Sequence, residues 1–221
     1  MKSIVFVLCM LILPVGLCLA QEVPVAESQS KYVLEYDLTA GAGIGKDCST
    51  DVYWKSGFAG GFGVNLLYPL DPRVVLRAGV SEQYYSANRY VEHPFPYVMD
   101  LRTYLSTIAT RLSIGTELIF PRNAYHGKLF VGTGVYGDIV HYAQADVKQH
   151  YISHTGSSSI NVESALSGIT PGFMANAGFY ANKNRLELRY TQDWKSFEIK
   201  GIPVGRQRRS SLMLNWAINP W

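Results

Sequence analysis

The sequence predicts an all-β fold: an eight-stranded antiparallel up-and-down transmembrane β-barrel, preceded by a cleaved signal peptide. Three observations predict it. First, stretches such as RLELRYTQDW at 185–194 alternate strictly, with Leu186, Leu188, Tyr190 and Trp194 on even numbers and Arg185, Glu187, Arg189, Thr191 and Asp193 on odd ones. A period of two is the mark of a strand with two opposite rows of side chains. Second, eight segments have this character, roughly 32–45, 56–68, 74–85, 103–119, 128–143, 165–181, 185–196 and 209–218. None shows sustained helical periodicity. Third, the connections take turns in length. Three are short, at 69–73, 121–127 and 182–184, and four are long, at 46–55, 86–102, 144–164 and 197–208. An even strand count with loops sorted to opposite ends is the layout of an outer-membrane barrel, with short turns on the periplasmic side. Soluble lipocalin-like barrels also reach eight strands, so the count alone does not decide.

The first twenty residues, MKSIVFVLCMLILPVGLCLA, carry Lys2, an apolar run from Ile4 to Leu13, and small residues at −3 and −1 of a cut before Gln21. This is the pattern of a secretory signal peptide, and the run is shorter than the ~20 residues a spanning helix needs. Residues 21–30 form a short polar leader, and 31–221 the barrel domain. Cys9 and Cys18 leave with the signal, so only Cys48 remains and no disulfide framework is possible. The formal charge of +3 gives no reason to expect nucleic acid as a partner. No later stretch reaches 18 consecutive apolar residues. A spanning protein without such a stretch has to close a barrel, because lipid leaves no way to satisfy an open sheet edge.

The strands, taken in order, say which face is wet. On the first, Tyr32, Leu34, Tyr36 and Leu38 oppose Glu35, Asp37 and Thr39. On the second, Phe58, Phe62, Val64, Leu66 and Tyr68 oppose Gly61, Gly63 and Asn65; on the third, Val74, Leu76, Ala78 and Val80 oppose Arg77, Ser81 and Gln83. The fourth sets Tyr104, Ile108, Leu112, Ile114 and Leu118 against Arg111 and Glu117. The last sets Leu212, Leu214, Trp216 and Ile218 against Ser211, Met213 and Asn215. Eight strands enclose a space only just wide enough for side chains, so the bulky apolar row belongs outside. Tyr32, Tyr68, Tyr84, Tyr104, Tyr190, Trp194 and Trp216 cluster at strand ends, as two aromatic girdles at the headgroup levels would.

The inward rows then supply a charge network: Arg77, Arg111 and Arg189 with Glu35, Asp37, Glu117, Asp138 and Glu187. Pairing offsets the cost of buried charge without necessarily adding net stability, so its expected work is to fill and specify the interior. Gly61, Gly63, Gly132, Gly134 and Gly178 are expected to make room for the arginines.

The runs SGFAGGFGVNLLYPLDPRVVLRAGVSEQYYS, YLSTIATRLSIGTELIF with GKLFVGTGVYGDIV, and GITPGFMANAGFYANKNRLELRYTQDW resemble the Bacteroidetes-type outer-membrane β-barrel domain, the PorT-like family. The resemblance extends over essentially the whole mature chain and rests on glycine, aromatic and alternating positions. It implies an eight-stranded barrel in the bacterial outer membrane, inserted by the barrel-assembly machinery, with a link to secretion only in particular members. One departure is that family chains end on a strand-terminal aromatic, whereas LMLNWAI ends in Ile218 and is followed by NPW.

No cofactor or metal is expected. Candidates for hydrolytic chemistry are His141, His150, Ser153, His154 and Ser157–Ser159, read as residues of a flexible polar loop where nothing fixes a triad. Metal binding by His150 and His154 would need a helix there, against which Gly156 and the serines argue. Lys200, Arg206, Arg208 and Arg209 crowd the outer rim, either as a contact for lipopolysaccharide phosphates or as a solvated basic loop. Phe95 and Tyr97, set between prolines, read as a rigid contact surface or as a loop packed over the barrel mouth. The function expected is a non-enzymatic structural or interaction platform working through its loops. Outer-membrane lipid, lipopolysaccharide and an envelope or secretion protein are the partners to expect. A lipid-modifying enzyme and a small pore are the alternatives.

Overall fold

The structure, a computed structural model, describes residues 32–47, 55–121, 127–162, 168–181, 183–198 and 206–218. The predicted signal peptide, the leader and Cys48 lie outside the described residues. The strands are β1 (Val33–Asp47), β2 (Lys55–Pro69), β3 (Val74–Phe95), β4 (Val98–Pro121), β5 (Gly127–Tyr151), β6 (Thr155–Asn161), β7 (Ile169–Ala181), β8 (Asn184–Asp193), β9 (Phe197–Glu198) and β10 (Arg206–Ile218). Eight of them form an antiparallel ring in the order β1-β2-β3-β4-β5-β7-β8-β10, closed by pairing of β10 with β1 from Tyr36↔Ile218 to Asp47↔Gln207. The remaining two, β6 and β9, add to β5 and β10.

At the first short turn, PLDPR at 69–73, Asp71 between the two prolines organises the reversal. Its Oδ1 accepts from the backbone N–H groups of Arg73 (2.6 Å) and Val74 (2.9 Å), an Asx turn that reverses the chain.

Two of the predicted long loops are strands. The segment 86–102 continues β3 and β4 as a paired ladder from Ser86↔Ser106 to Phe95↔Val98, turning at Pro96–Tyr97. Within 144–164, β5 runs on to Tyr151 and pairs with β6 from Gln144↔Asn161 to His150↔Thr155. The 197–208 connection carries the small β9–β10 pairing, Arg206↔Glu198 and Gln207↔Phe197. A tilted strand needs about 9–11 residues to span a bilayer. With 22, 24 and 25 residues, β3, β4 and β5 run far past that length. Together with β6 they make a four-stranded sheet that stands off the barrel at the end opposite the short turns.

Along β4 the two rows exchange character. In its later half Arg111 and Glu117 are buried, while Leu112, Ile114 and Leu118 are exposed. In its earlier half Leu101 and Leu105 are buried, while Arg102 is exposed. On β5 Phe130, Tyr136 and Asp138 point inward, then Ala143, Ala145 and Val147. This change from even to odd numbers follows a β-bulge, since Ile108 pairs Tyr142 and Ala109 pairs Val140, leaving His141 over. The barrel is therefore inside out where it meets lipid and has an ordinary dry interior where it leaves it. Ala87, Leu101, Leu105, Ala143, Ala145, Val147 and Val162 form that dry interior.

The exposed rings form two belts. Tyr32, Tyr68 and Trp216 lie toward the short turns, and Tyr84, Tyr104 and Trp194 toward the long hairpins. Between them the outward surface is apolar, with Leu38 58%, Val80 54%, Leu188 52% and Leu214 53% exposed. Water does not tolerate such a continuous apolar belt around a closed sheet, and lipid requires it.

Candidate functional site

The lumen is filled by two charge clusters. The one nearer the short turns is built around Glu187 of β8. Its carboxylate accepts from Arg77 Nη1 (3.3 Å), Arg189 Nε (2.5 Å), Asn176 Nδ2 (3.1 Å), Asn215 Nδ2 (3.1 Å) and Arg185. Asp37 takes Arg77 Nη2 and Arg189 Nη2, each at 3.3 Å, and Asn65 Nδ2 at 3.0 Å. Glu117 is held by Arg185, by Arg77 Nη1 at 3.5 Å and by the Tyr180 hydroxyl at 2.9 Å. Glu35 accepts from Arg185 Nη1 at 3.0 Å. Arg185 also lies over the Phe130 ring, 4.5 Å from its centroid.

The second cluster is nearer the hairpins. Arg111 grips Asp138 with two parallel bonds, Nε to Oδ1 at 2.7 Å and Nη2 to Oδ2 at 2.9 Å, and stacks 3.8 Å over Tyr136. Arg209 donates to Asp193 (2.7 Å) and Asp138 (3.3 Å), and the Tyr136 hydroxyl donates to Asp193 at 2.8 Å. Beside it a cavity of about 20 Å³ has room for a single water molecule. Wild-type protein in a planar bilayer is accordingly expected to show no steady conductance; a stable open level would contradict a filled lumen.

Of the residues read as a lumen network, Glu35, Asp37, Arg77, Glu117, Glu187 and Arg189 come together in the first cluster, and Arg111 and Asp138 in the second. Asp193, which its row turns toward the lumen, joins the second cluster; Arg185 and Arg209 complete the two and were missed. Their parity was the signal: Arg185 shares the row of Glu187, and Arg209 that of Ser211 and Asn215. Arg209 is a correction, because it is 5% exposed and paired in the lumen instead of lying on the rim. Lys200 lies outside the described residues, Arg206 pairs with Glu198 through the backbone, and Arg208 is half-buried on the opposite row from Arg209. None of the five glycines abuts an arginine: Gly63 and Gly132 make room for groups that hold arginines, while Gly61, Gly134 and Gly178 face neighbouring backbone and the Gln83, Met174 and Phe130 side chains. A Cβ on Gly63 would lie 2.7 Å from Asp37 Oδ1, and one on Gly132 would lie 2.5 Å from Asn176 Oδ1.

The histidines are dispersed over ordered hairpins, not gathered in a flexible loop. His150 Nδ1 lies 2.8 Å from Asp100 Oδ2. Ser153 Oγ meets His154 Nδ1 at 3.1 Å, and the His154 ring stacks on Tyr151 at 4.5 Å. Ser159 Oγ donates to Asp146 (2.6 Å), and with Gln144 it holds that carboxyl below the usual carboxylate range. His141 Nε2 lies 2.6 Å from Thr110 Oγ1, which donates to Glu82 Oε2 at 2.9 Å. In none of these does a carboxylate orient the imidazole that faces a hydroxyl, the order a triad requires. Among the described residues no group of three His, Cys, Asp or Glu is placed to hold a metal.

Tyr97 stands at the apex of the β3–β4 hairpin, 79% exposed, and its φ of 76° after Pro96 fits the second central position of a type II turn. It neither packs over the barrel mouth nor shields it. The two hairpin tips touch, Ile152 N–H donating to Tyr97 O at 3.3 Å, and Ile152 is 73% exposed beside it.

A closed antiparallel ring, an apolar outside between two aromatic belts and a charged, filled inside occur together only in lipid. The chain is a multi-pass outer-membrane β-barrel. No family model matches the chain, and no curated protein matches it. Among solved structures it is similar to Neisserial surface protein A at 12% identity and a TM-score of 0.43, over 87% of this chain and 99% of that one. It is similar to the outer-membrane enzyme PagL at 14% identity and a TM-score of 0.36, over 82% and 98%. It is similar to OprG of Pseudomonas aeruginosa at 8% identity and a TM-score of 0.36, over 87% and 98%. These likenesses are weak, and the barrel's own geometry carries the assignment.

Proposed function

We propose that this protein is a non-enzymatic outer-membrane barrel with a side-chain-filled lumen that serves as a structural or interaction platform through its outer hairpins. The observation that carries the reading is the sheet of β3, β4, β5 and β6. It extends beyond the apolar belt on strands twice the length a span needs, with a dry inner row and touching tips that expose Tyr97 and Ile152. Nothing about spanning a bilayer calls for that extension. Binding surfaces sit on segments that a rigid scaffold holds out into solvent. We place this sheet outside the cell. We propose as well that the chain is PorT-like, that the barrel-assembly machinery inserts it, and that it is accessory to secretion or envelope assembly. Its partners are then an envelope or secretion protein and, at the rim, lipopolysaccharide met by Lys200, Arg206 and Arg208.

The test trims the sheet at paired positions. The β3–β4 hairpin is closed between Asn88 and Tyr104, and the β5–β6 hairpin between Ala145 and Ile160, each with an Asn-Gly turn. The ring keeps its pairings, since β5 meets β7 only through Gly127–Ile139. The trimmed protein is expected to remain heat-modifiable on gels and to lose the protein crosslinks that the full chain forms in intact outer membranes. An unchanged crosslinking pattern would count against the platform reading. In the full chain, Tyr97→Cys is expected to react with an impermeant maleimide on intact cells; reaction only after permeabilisation would reverse the sidedness.

A further inference from the structure

The outward rows of β3, β4 and β5 pass from mostly apolar residues toward the short turns to mostly polar ones toward the hairpins. Glu82 and His141, with Thr110 between them, are the first charged or titratable groups met on the way, one step before Tyr84 and Ile108. Glu82 and Thr110 are register partners, and Thr110 faces Ile139, next but one to His141. Val80, Tyr84, Ile108, Leu112 and Ile139 surround them, all exposed on the lipid-facing side. A carboxylate on this apolar surface is costly unless something hydrogen-bonds to it. The β-bulge leaves His141 unpaired in the ladder and keeps it on this outward face.

The hydrogen bonds have a direction. Thr110 has one hydroxyl proton, and it donates that proton to Glu82 Oε2. The contact with His141 Nε2 then requires that nitrogen to carry the N–H and donate to Thr110 Oγ1. In the neutral ring Nδ1 is left as an acceptor, and Glu82 keeps its second carboxylate oxygen. Among the described residues neither of these atoms has a hydrogen-bond donor. The outward row thus carries two acceptors, on half-buried Glu82 and exposed His141, at the edge of the apolar belt.

We propose that Glu82, Thr110 and His141 bind a membrane-lipid headgroup through its N–H or O–H donors. The ammonium of an aminophospholipid and the hydroxyls of a sugar-headed lipid share that chemistry; a quaternary choline headgroup lacks it.

The full chain is placed in nanodiscs of phosphatidylcholine alone, with an equal part of phosphatidylethanolamine, or with lipopolysaccharide, and the lipid retained on extraction is counted by native mass spectrometry. The wild type is expected to retain a donor-bearing lipid over phosphatidylcholine by about tenfold, the ratio that 1.4 kcal/mol represents. Retention in the ethanolamine arm assigns the ammonium, and retention in the lipopolysaccharide arm the sugar hydroxyls. Thr110→Val, which removes both bonds at constant volume, and Glu82→Gln are each expected to bring the ratio to about one. Thr116→Val, on the same outward row nearer the short turns, is expected to leave it unchanged. Every variant is first checked for heat-modifiable migration, and Glu82→Gln alone carries the test if Thr110→Val does not fold. Equal retention of all lipids by the wild type overturns the proposal. So does a preference that survives Thr110→Val and Glu82→Gln, or one that Thr116→Val abolishes as well.

Discussion

Arg185→Met is expected to cost the barrel about 3–5 kcal/mol, the range measured when one partner of a buried ion pair is removed. The guanidinium is 1% exposed and ion-pairs with Glu35, Glu117 and Glu187. Without it, Arg77 and Arg189 remain to serve four carboxylates, and Glu35 loses the cation that donates to it. Methionine fills much of the same space against Phe130, so the loss is of charge compensation more than of volume. The double variant Arg185→Met with Glu35→Leu is therefore expected to recover part of the stability. Urea titration of the heat-modifiable fraction in detergent reads both. A single variant within about 0.5 kcal/mol of wild type, the scatter of an ordinary surface substitution, would mean that the cluster fills space without being held by its charges.

That Arg185 is the residue to change is a lesson about reading strands. The row Arg185, Glu187, Arg189, Thr191, Asp193 was plain in the sequence. The ring topology was legible for the same reason, since period two persists wherever one face meets lipid and the other does not. The cluster RQRR at 206–209 was read as one basic patch because its residues are adjacent. In a strand adjacent residues face opposite ways, so Arg208 and Arg209 cannot share a partner. Parity with Ser211 and Asn215 puts Arg209 in the lumen, where Asp138 and Asp193 take it.

The hairpin extensions were hidden by a change of solvent. Within the membrane the outward row is apolar and the inward row charged; beyond it Leu101 and Leu105 turn inward while Arg102 faces water. A strand that crosses from one regime to the other loses its apparent pattern at the crossing, although its pairing is unbroken. The bulge at His141 adds a shift of parity on β5, and Pro94 and Pro96 resemble loop punctuation. Neither proline breaks the hairpin, because Pro96 is in the turn itself and Pro94 lies beside it, where the ladder is already irregular between Glu92 and Phe95. What sequence patterning reports is the surroundings of a strand. It reports the strand itself only while those surroundings stay the same.

The crossing has a measurable depth. A single arginine moved along the outward row of β4 is expected to give a graded cost: about 2–4 kcal/mol for Ile114→Arg near the middle of the apolar belt, falling to about 0–1 kcal/mol for Ile108→Arg and Tyr104→Arg at its edge. All three wild-type side chains are exposed, so no packing in the lumen is disturbed and the cost is that of placing a cation in hydrocarbon. Near the edge the long side chain reaches the headgroups and keeps its charge in water. Leu188→Arg, 52% exposed at mid-strand on β8 and paired across to Leu214, is expected to match Ile114→Arg, because the belt runs round the whole ring. Thr191→Arg belongs to the other face. Thr191 is 2% exposed and its hydroxyl lies 2.6 Å from that of Ser211, so an arginine there is expected to fail by overpacking, at about 1–3 kcal/mol. Urea midpoints for the series in phospholipid vesicles give the profile. A flat profile, or one that peaks at Ile108, would move the membrane boundary away from Glu82, Thr110 and His141 and into the extended hairpins.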